Sequence, residues 1–311
     1  MILTVTLNPA VDKTYTVENF RIDRINRASS CSVVAGGKGV NVSRVYTALG
    51  GKAISTGMVG GHNGTFITDS LSAESLQSDF VLIEGESRVC IKIMDPAQKT
   101  QTELNEIGPE ISSDEVDRFR VKFESLVRGL EYVVICGSCP PGIPDDLYRD
   151  LIETARHYGV RCILDANDAP LAEGIKALPF MAKPNIHELS SLVGRPLSTI
   201  QEAAEVACGY VARGIEIMVV TLGRDGAIVC TEDGVWRARS PEIKFVSAVG
   251  SGDSFAAGFT RVLVEGGSAV EALKKGTAAG AANAMYCAAG FCTEDDISEL
   301  SERVQVERLE G

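Results

Sequence analysis

The stretch that decides the fold is Val246–Gly266, VSAVGSGDSFAAGFTRVLVEG, in which a run of small residues leads directly into a helical pattern. Its apolar side chains are spaced so that they share one helical face; they are Phe255, Phe259, Val262 and Leu263. The spacing predicts a helix that starts near Gly252. The first N–H groups of a helix have no partner within it, so this start is a natural anion site.

Asp253 stands in the first turn of this predicted helix, directly after Gly250, Ser251 and Gly252. One interpretation makes Asp253 a charge that caps the helix and offsets its dipole. The other makes it a base that deprotonates an attacking hydroxyl, while the backbone amides of 250–252 stabilise a phosphoryl group in transfer. The stretch alone leaves both open. The chain contains no GxxxxGK[ST] motif, and Phe255 replaces the third glycine of a dinucleotide fingerprint.

Composition limits the classes of function. The chain has 311 residues and a formal net charge of −12, with no dense basic run, so nucleic acid is not an expected partner. No apolar run is long enough for a membrane span. Nine cysteines, an odd number, favour reduced thiols and a cytoplasmic protein. Cys136 and Cys139 form a CxxC, for which a structural role is preferred over a redox or zinc role because no second ligand pair stands nearby.

The N-terminal part predicts a buried strand followed by a small separate sheet. The strand at 2–7 ends at a turn, and Asp12 lies just beyond it, where ligands of open α/β sheets bind. Two pairs of β-like runs then interrupt the α/β pattern, at 14–20 with 28–34 and at 89–94 with 100–104. We expect them to form a four-stranded lid from two insertions, approximately 13–35 and 88–105.

From Ser112 onward helices and strands alternate, which predicts a mostly parallel sheet with helices on both faces, a three-layer α/β/α sandwich in one domain over 1–311. Ala227–Cys230 and Val235–Ala238 are expected as an antiparallel hairpin at the sheet edge. Asn185 and Glu188 are three residues apart at a helix start, where they could order metal-bound waters together. Taken alone, Glu188 is better explained as a charge that offsets the helix dipole.

Four segments, in order, resemble the motifs of the PfkB (ribokinase-like) carbohydrate kinases, and the similarity runs from Thr4 to about Thr293. They are Gly36-Gly37-Lys38-Gly39 with Asn41, Lys183-Pro184-Asn185 with Glu188, Thr221-Leu222-Gly223 with Gly226, and Gly250-Ser251-Gly252-Asp253 with Gly258. TVTLNPAVD, Asn26-Arg27 and GSCPPG at 137–142 resemble the branch that phosphorylates ketohexose phosphates, 1-phosphofructokinase and tagatose-6-phosphate kinase.

The resemblance implies a role for each matching position. Asp253 would be the catalytic base, with Gly250, Ser251 and Gly252 as the anion hole. The sugar and its phosphate would be held by Asp12, Arg27, Gly37, Lys38, Asn41, Arg88 and Ser138. The nucleotide would be held by Lys183, Thr221, Gly223 and Gly226, with Asn185 and Glu188 near Mg²⁺ and contacting it through water. After Asp165 such kinases usually carry Ser-Gly, whereas here Asn167 and Asp168 stand nearby, so a metal role for Asp165 stays open.

The resulting expectation is ATP- and Mg²⁺-dependent phosphorylation of a ketohexose phosphate. Fructose 1-phosphate is the first choice of acceptor, and tagatose 6-phosphate or fructose 6-phosphate are the alternatives. A catalytically silent sugar-phosphate sensor on the same fold is the non-enzyme alternative, which the intact GSGD disfavours. A homodimer formed through the lid is a further expectation, since such kinases often pair in this way.

Overall fold

The computed structural model describes residues 1–309, which form fifteen strands and ten α-helices. The strands are β1 (Ile2–Thr6), β2 (Ala10–Thr16), β3 (Ser30–Gly36), β4 (Ala53–Gly60), β5 (Gln77–Ser78), β6 (Val81–Ile83), β7 (Arg88–Asp95), β8 (Thr100–Asn105), β9 (Tyr132–Cys136), β10 (Arg161–Asp165), β11 (Met181–Ala182), β12 (Ile217–Thr221), β13 (Ala227–Thr231), β14 (Gly234–Arg239) and β15 (Gln305–Leu309). The helices are α1 (Lys38–Ala48), α2 (Gly61–Ala73), α3 (Ser113–Val127), α4 (Leu147–His157), α5 (Asp168–Gly174), α6 (Ile186–Val193), α7 (Ile200–Val211), α8 (Ser251–Val264), α9 (Ala269–Asn283) and α10 (Glu294–Arg303).

The large sheet has eleven strands. Ten follow the order β15-β14-β13-β12-β11-β10-β9-β1-β4-β5, and the eleventh, β6, also pairs with β4. Pairing is parallel from β12 through β5 and antiparallel among β12, β13, β14 and β15. The mostly parallel sheet predicted from the alternating pattern is therefore confirmed. The carboxyl ends of the parallel strands meet along one edge, which is where ligands bind in open α/β sheets.

Two apolar clusters on opposite faces of the large sheet explain its three layers. In a strand, successive side chains point to opposite faces. In β9, Val134 therefore packs on the side of α1, α8 and α9, whereas Val133 and Ile135 pack on the side of α3, α4 and α5. The face with α8 and α9 is rich in alanine and glycine; a Cβ at Gly258 would lie 2.9 Å from Ala279 Cβ. These small residues let α8 and α9 pack closely.

The small sheet has four strands in the order β3-β2-β7-β8. Strands β2 and β7 are parallel, with Asp12 opposite Cys90, and the two outer pairs are antiparallel. The separate four-stranded sheet was predicted correctly, although β2 begins at Ala10, three residues before the predicted insertion. This difference brings Asp12 into the small sheet itself rather than into the turn before it.

Two further features differ from the sequence expectation. The hairpin of β13 and β14 is antiparallel as predicted, but it is not the sheet edge, because β15 pairs with β14. Between α1 and β7 the chain forms β4, α2, β5 and β6, which the sequence analysis did not predict. Among the described residues, no helix combines the length and the apolar character that a bilayer span requires.

Candidate active site

A cavity of about 1260 Å³ lies where the carboxyl ends of the large sheet face the small sheet. One half is lined by the small sheet and the start of α1, and the other by the loops after β11, β12 and β14 and the start of α8. Asp253 is among the lining residues. The predicted site residues that also line it are Asp12, Gly37, Lys38, Asn41, Arg88, Lys183, Asn185, Glu188, Thr221, Gly223, Gly226, Gly250, Ser251 and Gly252.

The N-terminus of α8 is open toward the cavity. Its N-cap is Gly250, with φ of +82°, and no side chain caps the helix. A Cβ at Gly250 would lie 2.7 Å from Ala289 Cβ, so only glycine fits this turn. The Asp253 carboxylate does not cap its own helix; its Oδ2 instead accepts a hydrogen bond of 2.8 Å from Asn41 Nδ2. The Asp253 side chain therefore does not act as a hydrogen-bonding cap, although its charge lies in the first turn of α8.

Asp253 is buried, with 6% of its surface exposed. Burial raises the pKa of its carboxyl to about 6, while Lys38 and the Asn41 hydrogen bond oppose the shift. A carboxylate with a pKa near neutrality is suited to general-base chemistry, because it is ionised at physiological pH yet basic enough to accept a proton.

Asp165 holds two lysines at the centre of the cavity. Its Oδ1 lies 3.2 Å from Lys38 Nζ, and its Oδ2 lies 3.0 Å from Lys183 Nζ. Burial acts to raise the pKa of Asp165, but the two ammonium groups outweigh it and hold the pKa below its usual value. Burial disfavours the charge of Lys38, but the carboxylates of Asp165, Asp253 and Glu188 together more than reverse this, so the pKa of Lys38 is raised. Because both carboxylate oxygens face lysines, Asp165 orients cations and is not placed as a metal ligand.

The half of the cavity formed by the small sheet contains Asp12 and Arg88. Asp12 occupies the space above Gly36, where a Cβ would lie 2.2 Å from Asp12 Cγ. Burial raises the pKa of Asp12 to about 6, against the attraction of Lys92 and Arg88. Arg88 donates to the backbone oxygens of Asn8 and Glu106, which directs its guanidinium along the cavity wall.

Lys92 lines the cavity and was missed by the sequence analysis. It follows Arg88 and Cys90 at alternate positions of β7, so a strict period-two reading of RVCIK would have placed all three on one face. Burial lowers the pKa of Lys92. Its neighbour in register, Glu103, accepts hydrogen bonds from Gln101 and Asn105 instead.

The half of the cavity formed by the loops after β11, β12 and β14 is shaped by backbone turns. Thr221 ends β12, and Gly223 begins a short 3₁₀ turn that closes at Gly226. Gly226 has φ of +93°, and a Cβ there would lie 1.9 Å from Ala238 O. Lys183 reaches the start of α8, since a Cβ at Gly252 would lie 3.6 Å from its Nζ. A lysine beside an uncapped helix start suits a phosphate chain.

Asn185 and Glu188 form a capping box at the start of α6. Asn185 Oδ1 accepts from the backbone N–H groups of His187 and Glu188, and Glu188 Oε2 accepts from Asn185 N. The other carboxylate oxygen, Oε1, lies 4.0 Å from Lys38 Nζ at the cavity. Glu188 therefore keeps an oxygen for a hydrated cation, whereas Asn185 uses its oxygen as a helix cap.

A model of the pfkB family carbohydrate kinases matches residues 5–296, which is nearly the whole chain. The chain belongs to the PfkB family. Phosphofructokinase-2 from Escherichia coli is similar in structure, with a TM-score of 0.92 and 28% identity over 97% of this chain and 98% of that one. A protein from Thermotoga maritima described as a possible 1-phosphofructokinase has a TM-score of 0.89 and 29% identity over all of both chains. Arabidopsis thaliana ribokinase shares the fold at 20% identity, with a TM-score of 0.77 over 97% of this chain and 98% of that one. The protein is therefore a phosphotransferase that acts on a sugar hydroxyl.

Two predicted sugar-phosphate residues of this PfkB kinase do not line its cavity. Arg27 lies exposed in the loop between β2 and β3. Ser138 follows β9 and is half-buried. It comes directly after Gly137, where an added Cβ would lie 3.8 Å from Lys38 Cβ. Ser138 thus lies close to the start of α1, while Arg27 does not reach the cavity within one chain.

The two thiols of the CxxC in this PfkB kinase lie in buried surroundings that suit a structural role. Cys136 is fully buried at the end of β9, and burial raises the pKa of its thiol well above the usual value. Burial also raises the pKa of Cys139 to about 12. Neither thiol is set up to form the thiolate that redox or zinc chemistry needs.

Proposed function

We propose that this PfkB kinase transfers the γ-phosphoryl group of ATP to a hydroxyl of a ketohexose phosphate, with fructose 1-phosphate as the first choice of acceptor and fructose 1,6-bisphosphate as its product. The observation that carries the proposal is the buried Asp253 carboxylate beside the uncapped start of α8, opposite Arg88 and Lys92 on the small sheet. The base and the phosphate site lie at the centre of the cavity, and the two cations lie on the acceptor side.

The two cations of the small sheet support a phosphorylated acceptor. Lys38 and Lys183 are paired with Asp165, whereas among residues 1–309 neither Arg88 nor Lys92 forms a salt bridge with a carboxylate. A partly buried ammonium without a paired anion is costly, which is the reason that the pKa of Lys92 is lowered. A dianionic phosphate between Arg88 and Lys92 would remove that cost.

In this proposal each part of the site has one task. The open amides of α8 and the ammonium of Lys183 stabilise charge on the transferred phosphoryl group. Asp253 orients the acceptor hydroxyl and accepts its proton through Oδ1, which has no protein partner among the described residues. Asp12 accepts hydrogen bonds from sugar hydroxyls, and Thr221, Gly223 and Gly226 line the nucleotide.

A magnesium ion fits the donors present at the cavity. Among residues 1–309 no cluster of three or more His, Cys, Asp or Glu side chains could enclose a metal. Mg²⁺ commonly keeps several waters and is held by one or two carboxylates together with substrate phosphates, so Glu188 alone can serve through water. The ion would neutralise phosphate charge, and Glu188 would hold it rather than Asn185, whose side-chain oxygen caps α6.

The choice among ketohexose phosphates is supported by the structural neighbours. The T. maritima protein is described as a possible 1-phosphofructokinase, and the E. coli protein was solved with fructose 6-phosphate. Fructose 6-phosphate and tagatose 6-phosphate are therefore the alternative acceptors. The GSCPPG segment and the TVTLNPAVD start resemble the branch of 1-phosphofructokinase and tagatose-6-phosphate kinase, which supports a phosphorylated ketohexose as the acceptor.

We further propose that the small sheet closes over the acceptor and pairs with a second copy of the chain, in the cytoplasm. Residues beside and within this sheet expose apolar side chains to solvent; they are Ile22, Ile25, Val33 and Leu104. A tetrameric form of the E. coli neighbour is known. Because Arg27 lies in the same exposed region, a second copy is the means by which it could approach a sugar phosphate. Size-exclusion chromatography with light scattering at several concentrations tests the pairing.

A turnover assay over a panel of acceptors tests the proposal. Release of ADP is measured with fructose 1-phosphate, fructose 6-phosphate, tagatose 6-phosphate, fructose, ribose and adenosine. We expect the highest kcat/KM with fructose 1-phosphate and poor turnover of the unphosphorylated compounds. Faster turnover of ribose or adenosine than of every phosphorylated ketohexose would contradict the proposal. Saturable binding of a sugar phosphate without any ADP release would support the silent sensor instead.

A further inference from the structure

Arg44 lies behind the candidate base, outside the cavity. It is on α1, one helical turn after Asn41, and only 7% of its surface is exposed. Its guanidinium donates through Nη1 to Asn41 Oδ1 at 3.1 Å and through Nη2 to Ala35 O at 2.9 Å. Nε and Nη2 contact the Glu74 carboxylate at 2.5 and 3.1 Å. A charged side chain so fully bonded within the protein has one fixed position.

The contact with Asn41 determines which way the amide faces. A guanidinium has donors only, so the group it meets on Asn41 must be the oxygen. The amide nitrogen is then directed to the other side, where Asn41 Nδ2 donates to Asp253 Oδ2 at 2.8 Å. With the amide reversed, its oxygen would face a carboxylate and its NH₂ group would face a cation, and both contacts would be repulsive.

We infer that Arg44 is a positioning residue for the phosphoryl transfer, which fixes the Asn41 amide so that Asp253 Oδ2 stays occupied and Asp253 Oδ1 faces the acceptor hydroxyl. The inference rests on the proposed role of Asp253 as base. The path runs from Glu74, which follows α2 and is partly exposed, through Arg44 and Asn41 to the base. None of Arg44's bonds reaches Asp253 directly, so its effect passes through Asn41.

Arginine is suited to this place and lysine is not. The planar fork reaches three partners at once, on α1, at the end of β3 and after α2, whereas an ammonium on a flexible stem cannot. The ring of Phe291 lies 4.5 Å from the guanidinium carbon and covers it from solvent. On the same side, a Cβ at Gly290 would lie 3.0 Å from Asn41 Cβ, so the 290–291 segment also confines the amide.

A double-mutant cycle tests whether Arg44 acts through Asn41. In the otherwise unchanged enzyme, we expect Arg44→Met to lower kcat for fructose 1-phosphate by roughly tenfold, within the range of couplings between residues in contact, with the KM for ATP unchanged. In the Asn41→Ala background the same change should have no further effect on kcat. Equal losses in both backgrounds would overturn the inference, because they would show that Arg44 acts independently of Asn41.

A pH profile gives a second readout that a purely structural role would not move. The charged groups acting on Asp253 are Lys38 from α1, Asp165 from β10, Lys183 after β11 and Asp12 from β2. All four remain in Arg44→Met, but the Arg44 charge also lowers the pKa of Asp12, so the profile is compared in the Asp12→Asn background, where a freed Asn41 amide is the local change at the base. Because the Asn41 hydrogen bond lowers the pKa of Asp253, we expect its loss to move the acid limb of the kcat profile to higher pH. An unmoved limb together with unchanged kcat would contradict the inference.

Arg120→Met is the matched control. It removes an arginine whose partners, Asp117 and Asp150, lie outside the cavity, so kcat and the acid limb should stay close to those of the unchanged enzyme. If Arg44→Met does not fold, as judged by circular dichroism, Arg44→Lys replaces it in both tests, with the same expected and contradicting results. Absence of sugar-phosphate turnover by the unchanged enzyme would refute the proposed function itself, an outcome distinct from every result of the cycle.

Discussion

Lys183 Nζ lies 3.0 Å from Asp165 Oδ2, and the two side chains are almost completely buried. The same carboxylate holds Lys38 through its other oxygen. One buried anion thus sets the positions of two cations, of which Lys183 stands beside the start of α8 and Lys38 stands at the start of α1. The pairing explains how two lysines can be kept charged and in place in a buried site before any phosphate binds.

Replacing Asp165 with asparagine should therefore destabilise the fold and weaken nucleotide binding together. The change keeps the shape but leaves the buried ammonium of Lys183 without an anion and removes the nearer carboxylate from the partly exposed Lys38. Breaking a buried pair in this way costs about 3 to 5 kcal/mol. We expect a fall of this size in the free energy of unfolding, measured by urea denaturation, and a raised KM for ATP. Asp117→Asn, which removes a mostly exposed partner of Arg120, is the control and should cost less than about 1 kcal/mol. Equal stability of the two variants would contradict the structural role of Asp165.

The pH dependence of activity should show an acid limb near pH 6. Burial raises the pKa values of both Asp253 and Asp12 to about 6, and Asp253 must be ionised to accept a proton. Activity should therefore rise with pH through this region, whereas the contribution of both groups to stability falls, because the folded state binds their protons more tightly than the unfolded chain. The limb of kcat/KM should be steeper than one ionisation allows and should become a single ionisation in Asp12→Asn. A limb near pH 4 would show that the base is not a buried carboxyl.

Gly36 should be required for the position of Asp12 and thus for sugar affinity. In Gly36→Ala the new Cβ would lie 2.2 Å from Asp12 Cγ, so the carboxylate must move away from its place above the glycine. Losing one hydrogen bond to a charged group costs about 1.5 to 3 kcal/mol, which is at least roughly tenfold in the KM for the sugar. The KM for ATP should not change. Gly209→Ala, where no atom lies within 4 Å of the added Cβ, is the control and should leave both constants unchanged. A normal sugar KM in Gly36→Ala would show that Asp12 does not bind the sugar from this position.

The cations of the small sheet should discriminate phosphorylated from unphosphorylated sugars. Arg88→Ala and Lys92→Met should each weaken binding of fructose 1-phosphate by about 1.5 to 3 kcal/mol, because each removes a charged donor to phosphate. Weak binding of fructose itself should barely change, and calorimetry with both ligands measures the difference. Lys52→Met removes an exposed charge outside the cavity and serves as the control. Equal losses for both sugars in Arg88→Ala and Lys92→Met would mean that neither residue contacts the phosphate.

Much of the fold was predictable because it is encoded locally. The strands Tyr132–Cys136 and Arg161–Asp165 were bounded correctly by continuous apolar runs, and α8 by the spacing of its apolar face. The C-terminal strand β15 was missed, since QVERL alternates only weakly and its partner β14 lies about 70 residues earlier. Its pairing is a long-range event that no local pattern indicates.

The candidate site likewise contains features that the local sequence predicts and features that depend on distant segments of the chain. The glycine-rich helix starts and Asp253 could be found from the sequence, whereas the role of Asp165 depends on two lysines contributed by other segments of the chain, one of them 127 positions away. The roles of Asn185 and Glu188 could not be told apart from the sequence, because a spacing of three residues at a helix start fits both a capping box and a site for a hydrated metal ion. The exposed position of Arg27 could not be predicted either, because a motif implies a role without giving the path of the loop that carries it.

The measurement that tests the central claim most directly is the single-turnover rate of Asp253→Asn. Asparagine keeps the size of the side chain but cannot accept the proton, so the rate of phosphoryl transfer to the preferred sugar phosphate should fall by roughly 10²- to 10⁴-fold. Binding of ATP, followed by calorimetry, and the thermal unfolding temperature should stay close to those of the unchanged enzyme. A folded Asp253→Asn protein with a near-normal rate would contradict the account and return Asp253 to the role of a helix-terminal charge.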